Sequence, residues 1–140
     1  MIFRALTHNQ FKEQGASLEG FIMQSLTSGL PKVDKPLEEL SDVLRGIREG
    51  RVIPLAITEG DSLIGLITLS NAVTALHVRN FAGDMPKGWE KPVTDMLRDF
   101  AASFNKSRVQ LLGRKAWIRK LKPYGYKPEG KYLVAEVNRK

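Results

Sequence analysis

Apolar and polar positions along the chain fall into runs of two periods, and these set out an alternation of strands and helices. The first six residues are short and largely apolar and suit a strand. Over residues 11–26, Phe11, Leu18, Phe21, Ile22 and Leu26 recur mostly at three- or four-residue spacing, which predicts a helix. Gly15 and Gly20 weaken it, each costing about 1 kcal/mol against Ala inside a helix. Thr27, Ser28, Gly29, Leu30 and Pro31 read as a stop. A second helix is better marked. Asp34 suits its N-cap, Pro36 its first turn, and Glu38 and Glu39 the positive end of its dipole. Leu37, Leu40, Val43, Leu44 and Ile47 form its apolar stripe, and Gly50 closes it.

Residues 52–58 and 63–70 are rich in strand formers and flank Glu59, Gly60, Asp61 and Ser62, a hairpin signature. Residues 74–81 read as another strand, followed by a loop through Gly83, Asp84, Met85, Pro86, Lys87 and Gly88. From Trp89 to about Asn105 a long amphipathic helix carries Val93, Met96, Leu97, Phe100 and Phe104. Pro92 falls in its first turn, where a missing N–H costs nothing. Residues 108–112 suit a short strand. Residues 114–122 suit a short basic helix with Trp117 and Leu121 one turn apart, Trp117 being its expected buried anchor, stopped by Pro123 and Gly125. Residues 132–137 alternate as a last strand. The expected order is β-α-α-β-β-β-α-β-α-β, an α/β chain whose central mixed sheet is flanked by helices.

The 140 residues suit one domain spanning residues 1–140. At 42% hydrophobic and 26% charged, the composition excludes wholesale disorder. No apolar run approaches the roughly 18–20 residues of a membrane helix. The first residues lack the basic-then-apolar pattern of an export signal, and cysteine is absent. The expectation is therefore a cytoplasmic protein with no disulfide and no thiolate nucleophile. With only His8 and His77, no dedicated metal site is expected. The net charge of +7 is unevenly placed: residues 1–103 balance at −2, while residues 104–140 set 11 Lys/Arg against Glu129 and Glu136, a balance of +9. Such asymmetry attracts a polyanion, or else serves as a solvated surface that keeps a small protein soluble.

The order of elements resembles that of the GNAT superfamily of N-acyltransferases over nearly the whole chain. The similar parts are the hairpin over 52–70, the strand over 74–81 with its glycine-bearing loop and long helix, and the ending over 109–126. In that ending, VQLLGRKAWIRKLKPYGYK resembles the stretch where a strand feeds a helix that closes on a Gly-aromatic pair, here Gly125 and Tyr126. The compact form also resembles the small GNAT-like proteins that bacteriophages encode, which would place it in a host cytoplasm.

The resemblance implies a single GNAT-like domain that binds acyl-CoA, with acetyl-CoA as donor, and transfers the acyl group to an unidentified amine. Pyrophosphate would sit on backbone N–H groups at the N-terminus of the long helix. The loop over 83–89 holds that position: Gly83 and Gly88 would let the backbone approach, Lys87 would neutralise charge, and Trp89 opens the helix. The family's pattern here is Gln/Arg-x-x-Gly-x-Gly/Ala. With Gly88 as its first glycine, this chain offers Met85 and Glu90 at the flanking positions, and Pro86 deletes one donor. The strand over 74–81 would border the cleft, with Leu76 and Val78 against the cofactor and a backbone N–H between 76 and 80 holding the oxyanion. On the same face as Ala75, His77 would serve as base, and Arg79 would orient an acidic substrate or a phosphate. The tyrosine that usually protonates the departing thiolate falls at Leu121, and Tyr124 is the nearest replacement. The plain alternatives are a structural His77, a surface Tyr124 and an ordinary Pro/Gly turn.

The basic helix offers a reading of another class. Arg114, Lys115, Arg119, Lys120 and Lys122 surround Trp117, with Tyr124 and Tyr126 following. Cations interleaved with aromatics suit phosphate contacts and base stacking. A non-catalytic protein of this fold would then bind nucleic acid or an acidic host protein through this surface, with no motif for reading base sequence.

Overall fold

The computed structural model describes residues 1–27 and 33–137; the expected stop over 28–31 lies outside them. The elements are β1 (Ile2–Ala5), α1 (His8–Glu13), α2 (Gly15–Thr27), α3 (Pro36–Arg48), β2 (Val52–Glu59), β3 (Ser62–Asn71), β4 (Ala75–Gly83), α4 (Glu90–Ser103), β5 (Arg108–Leu112), α5 (Lys115–Leu121), a 3-10 turn Lys122–Tyr124, β6 (Lys127–Glu129) and β7 (Tyr132–Glu136). The strands form one mixed sheet in the order β1-β2-β3-β4-β5-β7-β6. By internal contacts the chain divides into two compact units. The first comprises Met1–Ser70 and Asn80–Met85, the second Asn71–Arg79 and Pro86–Lys140.

In the first unit β1 pairs antiparallel with β2, and β2 with β3, from Val52↔Ser70 to Glu59↔Ser62. Gly60, at φ +59, takes the left-handed conformation the tight turn requires. Leu18, Ile22 and Leu26 of α2 and Val43 and Ile47 of α3 bury their stripes with Val52, Ala56 and Leu66. The single helix expected over 11–26 is two. Thr7 caps α1 in a capping box with Gln10, and Gln14 leaves helical geometry at φ −108 before α2 begins at Gly15. The N-cap of α3 is Lys35, not Asp34, and no side chain caps it, so Pro36 and the two glutamates mark this start. A buried polar chain ties this unit together. Thr68 Oγ1 donates to Asn80 Oδ1 (2.6 Å), Asn80 Nδ2 donates to Ser25 Oγ (2.9 Å), and Ser25 Oγ donates to the Ile22 carbonyl (2.8 Å).

In the second unit β4 and β5 run parallel from Ala75↔Arg108 to Val78↔Leu111. The crossover between them carries α4, which buries Val93, Thr94, Leu97 and Ala101. β7 pairs antiparallel with β5, and the unexpected strand β6 pairs with β7 through a turn at Gly130, φ +60. The basic helix is anchored by Leu121, which is buried; Trp117 is only half-buried and lies under Arg114, whose guanidinium carbon is 4.9 Å from the indole centroid.

Candidate functional site

Three features of the second unit bear on chemistry. The first is the end of the parallel pair. β4–β5 pairing stops at Val78↔Leu111, while β4 continues to Gly83. Leu76 and Val78 are buried on one side of β4, and His77 and Arg79 are half-buried on the other.

His77 has two side-chain neighbours that its own place in the sequence does not reveal. Gln110, its register partner on β5, places Nε2 3.2 Å from His77 Nδ1. Tyr132 on β7 meets the imidazole edge-on at 5.7 Å between centroids. Burial, then the charges of Arg79 and Lys131, hold the imidazole below its ordinary 6.5, so it is neutral at pH 7. The orientation of the Gln110 amide decides what His77 can do. With Oε1 accepting from Nδ1–H, the Nε2 lone pair is open to a proton; with the amide donating to Nδ1, Nε2 carries hydrogen and His77 is a donor.

The second feature is the start of α4. Gly88, at φ +85, leaves the space beside its Cα open, and Lys87 and Gly88 are exposed. Trp89 is the N-cap in helical geometry. Its side chain is buried and makes no capping hydrogen bond, so the positive end of the α4 dipole is not answered by a side-chain cap there. Glu90 and Pro92 in the first turn reduce what this end offers an anion. Gly83 has a different reason to be glycine. It belongs to the first unit, and a Cβ there would overlap Ile64 O and Gly65 Cα of β3.

The third feature is the turn bearing Tyr124. Arg98 of α4 donates to the carbonyls of Tyr124 and Glu136, and its guanidinium stands 5.5 Å from the Tyr126 ring centroid. Tyr124 is half-buried, and its phenol is one of the groups that raise the pKa of Lys91, after the Lys91–Asp95 pair at 2.7 Å. Among the described residues no hydrogen bond joins His77 to Tyr124.

The basic surface is smaller than its sequence. Arg114 is half-buried on Trp117, and burial lowers its pKa. Arg119, Lys120 and Lys122 are exposed. Both acids of residues 104–140 are held by Arg108, Glu129 at 2.6 Å and Glu136 at 3.1 Å. Among the described residues no ion pair holds Arg119, Lys120 or Lys122. Lys115 opens α5. Among the described residues no group of three His, Asp or Glu could hold a metal ion, and no helix is long and apolar enough to cross a membrane.

No protein-family model matches the sequence, and no curated protein matches it. Solved structures do. Tetrahymena GCN5 is similar over 99% of this chain and 97% of its own, at 14% identity and a TM-score of 0.70. A Desulfovibrio desulfuricans protein described as an acetyltransferase of the GNAT family is similar over 98% and 99%, at 14% identity and 0.69. The PaiA N-acetyltransferase of Thermoplasma acidophilum, solved with coenzyme A, is similar over 96% of both chains, at 15% identity and 0.58. At such identities the likeness is one of architecture carried from end to end: the chain has the fold of the GNAT acetyltransferases.

Proposed function

We propose that residues 1–140 act as one acyl-CoA-dependent N-acyltransferase domain, with acetyl-CoA as donor and an amine as acceptor. The observation that carries this reading is the end-to-end likeness to acetyltransferases, one of them solved with coenzyme A. The start of α4 supports it. An uncapped helix N-terminus beside an exposed Gly88 and Lys87 fits a pyrophosphate, even with Glu90 and Pro92 thinning the donors. Thioester chemistry asks for no nucleophile on the protein. The amine nitrogen bonds to the carbonyl carbon, a β4 N–H beyond the last β5 pair stabilises the oxyanion, and the C–S bond breaks as the carbonyl re-forms. His77 takes the ammonium proton at Nε2, with Gln110 turned to accept from Nδ1–H. Tyr124, held by Arg98 through its own carbonyl, gives a proton to the departing thiolate. Leu76 and Val78 supply the backbone along the cofactor, and Arg79 orients an anionic group of either substrate.

Calorimetric titration of the folded chain with acetyl-CoA tests the reading. Micromolar binding is expected, weakened by at least about tenfold in Lys87→Glu and abolished in Gly88→Glu. Gly88 is left-handed, so Gly88→Asn, which tolerates that conformation, controls for backbone strain and should bind. No heat with the wild-type chain refutes the proposal.

The exposed Arg119, Lys120 and Lys122 favour a second reading, binding of nucleic acid or an acidic protein through α5.

A further inference from the structure

The first unit contains a cavity of about 620 Å³ that neither acyl transfer nor the basic helix uses. Its volume lies within the roughly 300–1,000 Å³ of small-molecule sites. It opens where the end of α1 and the beginning of α2 meet the last two turns of α3. Phe11, fully buried, and Leu44, half-buried, give it an apolar floor.

Around that floor stand Lys12, Arg45 and Arg48, with Glu19 the one carboxylate of the lining. Arg45 lies 3.5 Å from Asp42 in an exposed pair, a contact worth little. Lys12 and Arg48 have no hydrogen-bond or ion-pair partner among the described residues. Arg48 has Glu49 as a neighbouring charge, but that carboxylate is already held by Arg51 at 2.6 Å. Cations in the last turns of α1 and α3 answer the helix dipoles, which accounts for their type. The dipoles do not account for two helix ends converging on one apolar-floored cavity. Gly15 lines it as well, and a Cβ there would meet nothing within 4 Å.

We propose that this cavity binds a small organic anion with an apolar body, its carboxylate held by Lys12 and Arg48 and its apolar part lying on Phe11 and Leu44. The inference rests on the first unit alone and does not depend on the acyltransferase reading. An isothermal titration of the full chain with naphthalene-2-carboxylate, against the neutral naphthalene-2-carboxamide, tests both halves of it. Saturable binding of the carboxylate below about 1 mM is expected, with the carboxamide at least about tenfold weaker. The double variant Lys12→Glu, Arg48→Glu should lose at least about tenfold in affinity, and Gly15→Phe, which fills the opening, should abolish binding. Unchanged circular-dichroism melts would show that the variants fold. Equal binding of acid and amide, affinity indifferent to these variants when folded, or no saturation by about 1 mM each overturns the proposal.

Discussion

Tyr126 gives the most direct measure of how well this core is satisfied. The residue is 2% exposed, its ring lies against Arg98, and its hydroxyl finds no hydrogen-bond partner among the described residues. A buried hydroxyl without a partner costs about 1–3 kcal/mol of desolvation. Tyr126→Phe keeps the ring and its contact with Arg98 and removes only that cost. The variant should therefore be more stable at pH 7 by about 1–2 kcal/mol, raising Tm by about 2–4 °C per kcal/mol in a chain of this size. A second signature follows from the phenol's ionisation. Burial pushes its pKa up from 10.0 to about 12, against a weaker downward pull from Arg98. As pH rises past 10.0 the unfolded chain gives up this proton while the folded chain keeps it, so the wild type loses stability between pH 10.0 and about 12. At about 1.4 kcal/mol per pKa unit, the full loss is about 3 kcal/mol, and the phenylalanine variant is spared it. Urea unfolding of both proteins at pH 7, 10 and 11 reads the gap. A variant about 1 kcal/mol less stable than wild type at pH 7 would mean that the hydroxyl is bonded. A gap that does not widen above pH 10 would mean that the phenol ionises alike in both states.

Four further outcomes are expected. If His77 is the base, the acid limb of the rate profile should have its midpoint below 6.5, because burial disfavours the imidazolium; His77→Gln should flatten that limb and slow turnover about 100-fold. The same shift makes the wild type lose stability as pH falls below 6.5, when the unfolded chain takes up the proton first, and the glutamine variant should lack that slope in acid melts. Asn80→Ala strands Thr68, fully buried, and removes a bond to Ser25, so chemical denaturation should report a loss of about 2–4 kcal/mol. For nucleic acid on α5, filter binding should weaken with salt at a log–log slope of about −2 to −3, one increment for each of the three exposed cations, and Arg119→Ala with Lys120→Ala should remove up to about two units. No binding at about 50 mM salt would end that reading.

Most strands were legible because burial imposes a period of two and turns interrupt it. Residues 108–112 and the 52–70 hairpin emerge from pattern alone. The break between α1 and α2 was not, since the stripe through Phe11, Leu18 and Ile22 continues on one face across Gln14. β6 left no trace for the opposite reason. Lys127, Pro128 and Glu129 are all exposed, so nothing in their order records a buried face. Site residues follow the same logic. His77 stood out as a rare titratable group, but Gln110 becomes its neighbour only through the β4–β5 register, and Tyr132 only through the pairing of β5 with β7. Glycines mislead most, because their type does not state their cause. Gly83 serves the close approach of β3, whereas Gly88 stands in open space at a helix start.

The C-terminal charge takes on a narrower meaning once its partners are known. Arg108 gathers both Glu129 and Glu136, and Arg114 turns onto Trp117. A chain that merely needed solubility would gain as much from dispersed ion pairs, since mixed charge also keeps a surface soluble. Here the acids are drawn to one arginine, and Arg119, Lys120 and Lys122 stay exposed on one short helix and its following turn. Any phosphate-bearing molecule drawn to the second unit feels that field, and acyl-CoA is such a molecule as much as a nucleic acid is. The two readings therefore share an electrostatic cause and part only at contact. Lys87 and Gly88 at the start of α4 should govern acetyl-CoA affinity, with the α5 cations changing chiefly its salt dependence. Loss of acetyl-CoA binding on removing Arg119 and Lys120, with Lys87→Glu silent, would instead place the phosphates on α5 and remove the start of α4 from the site.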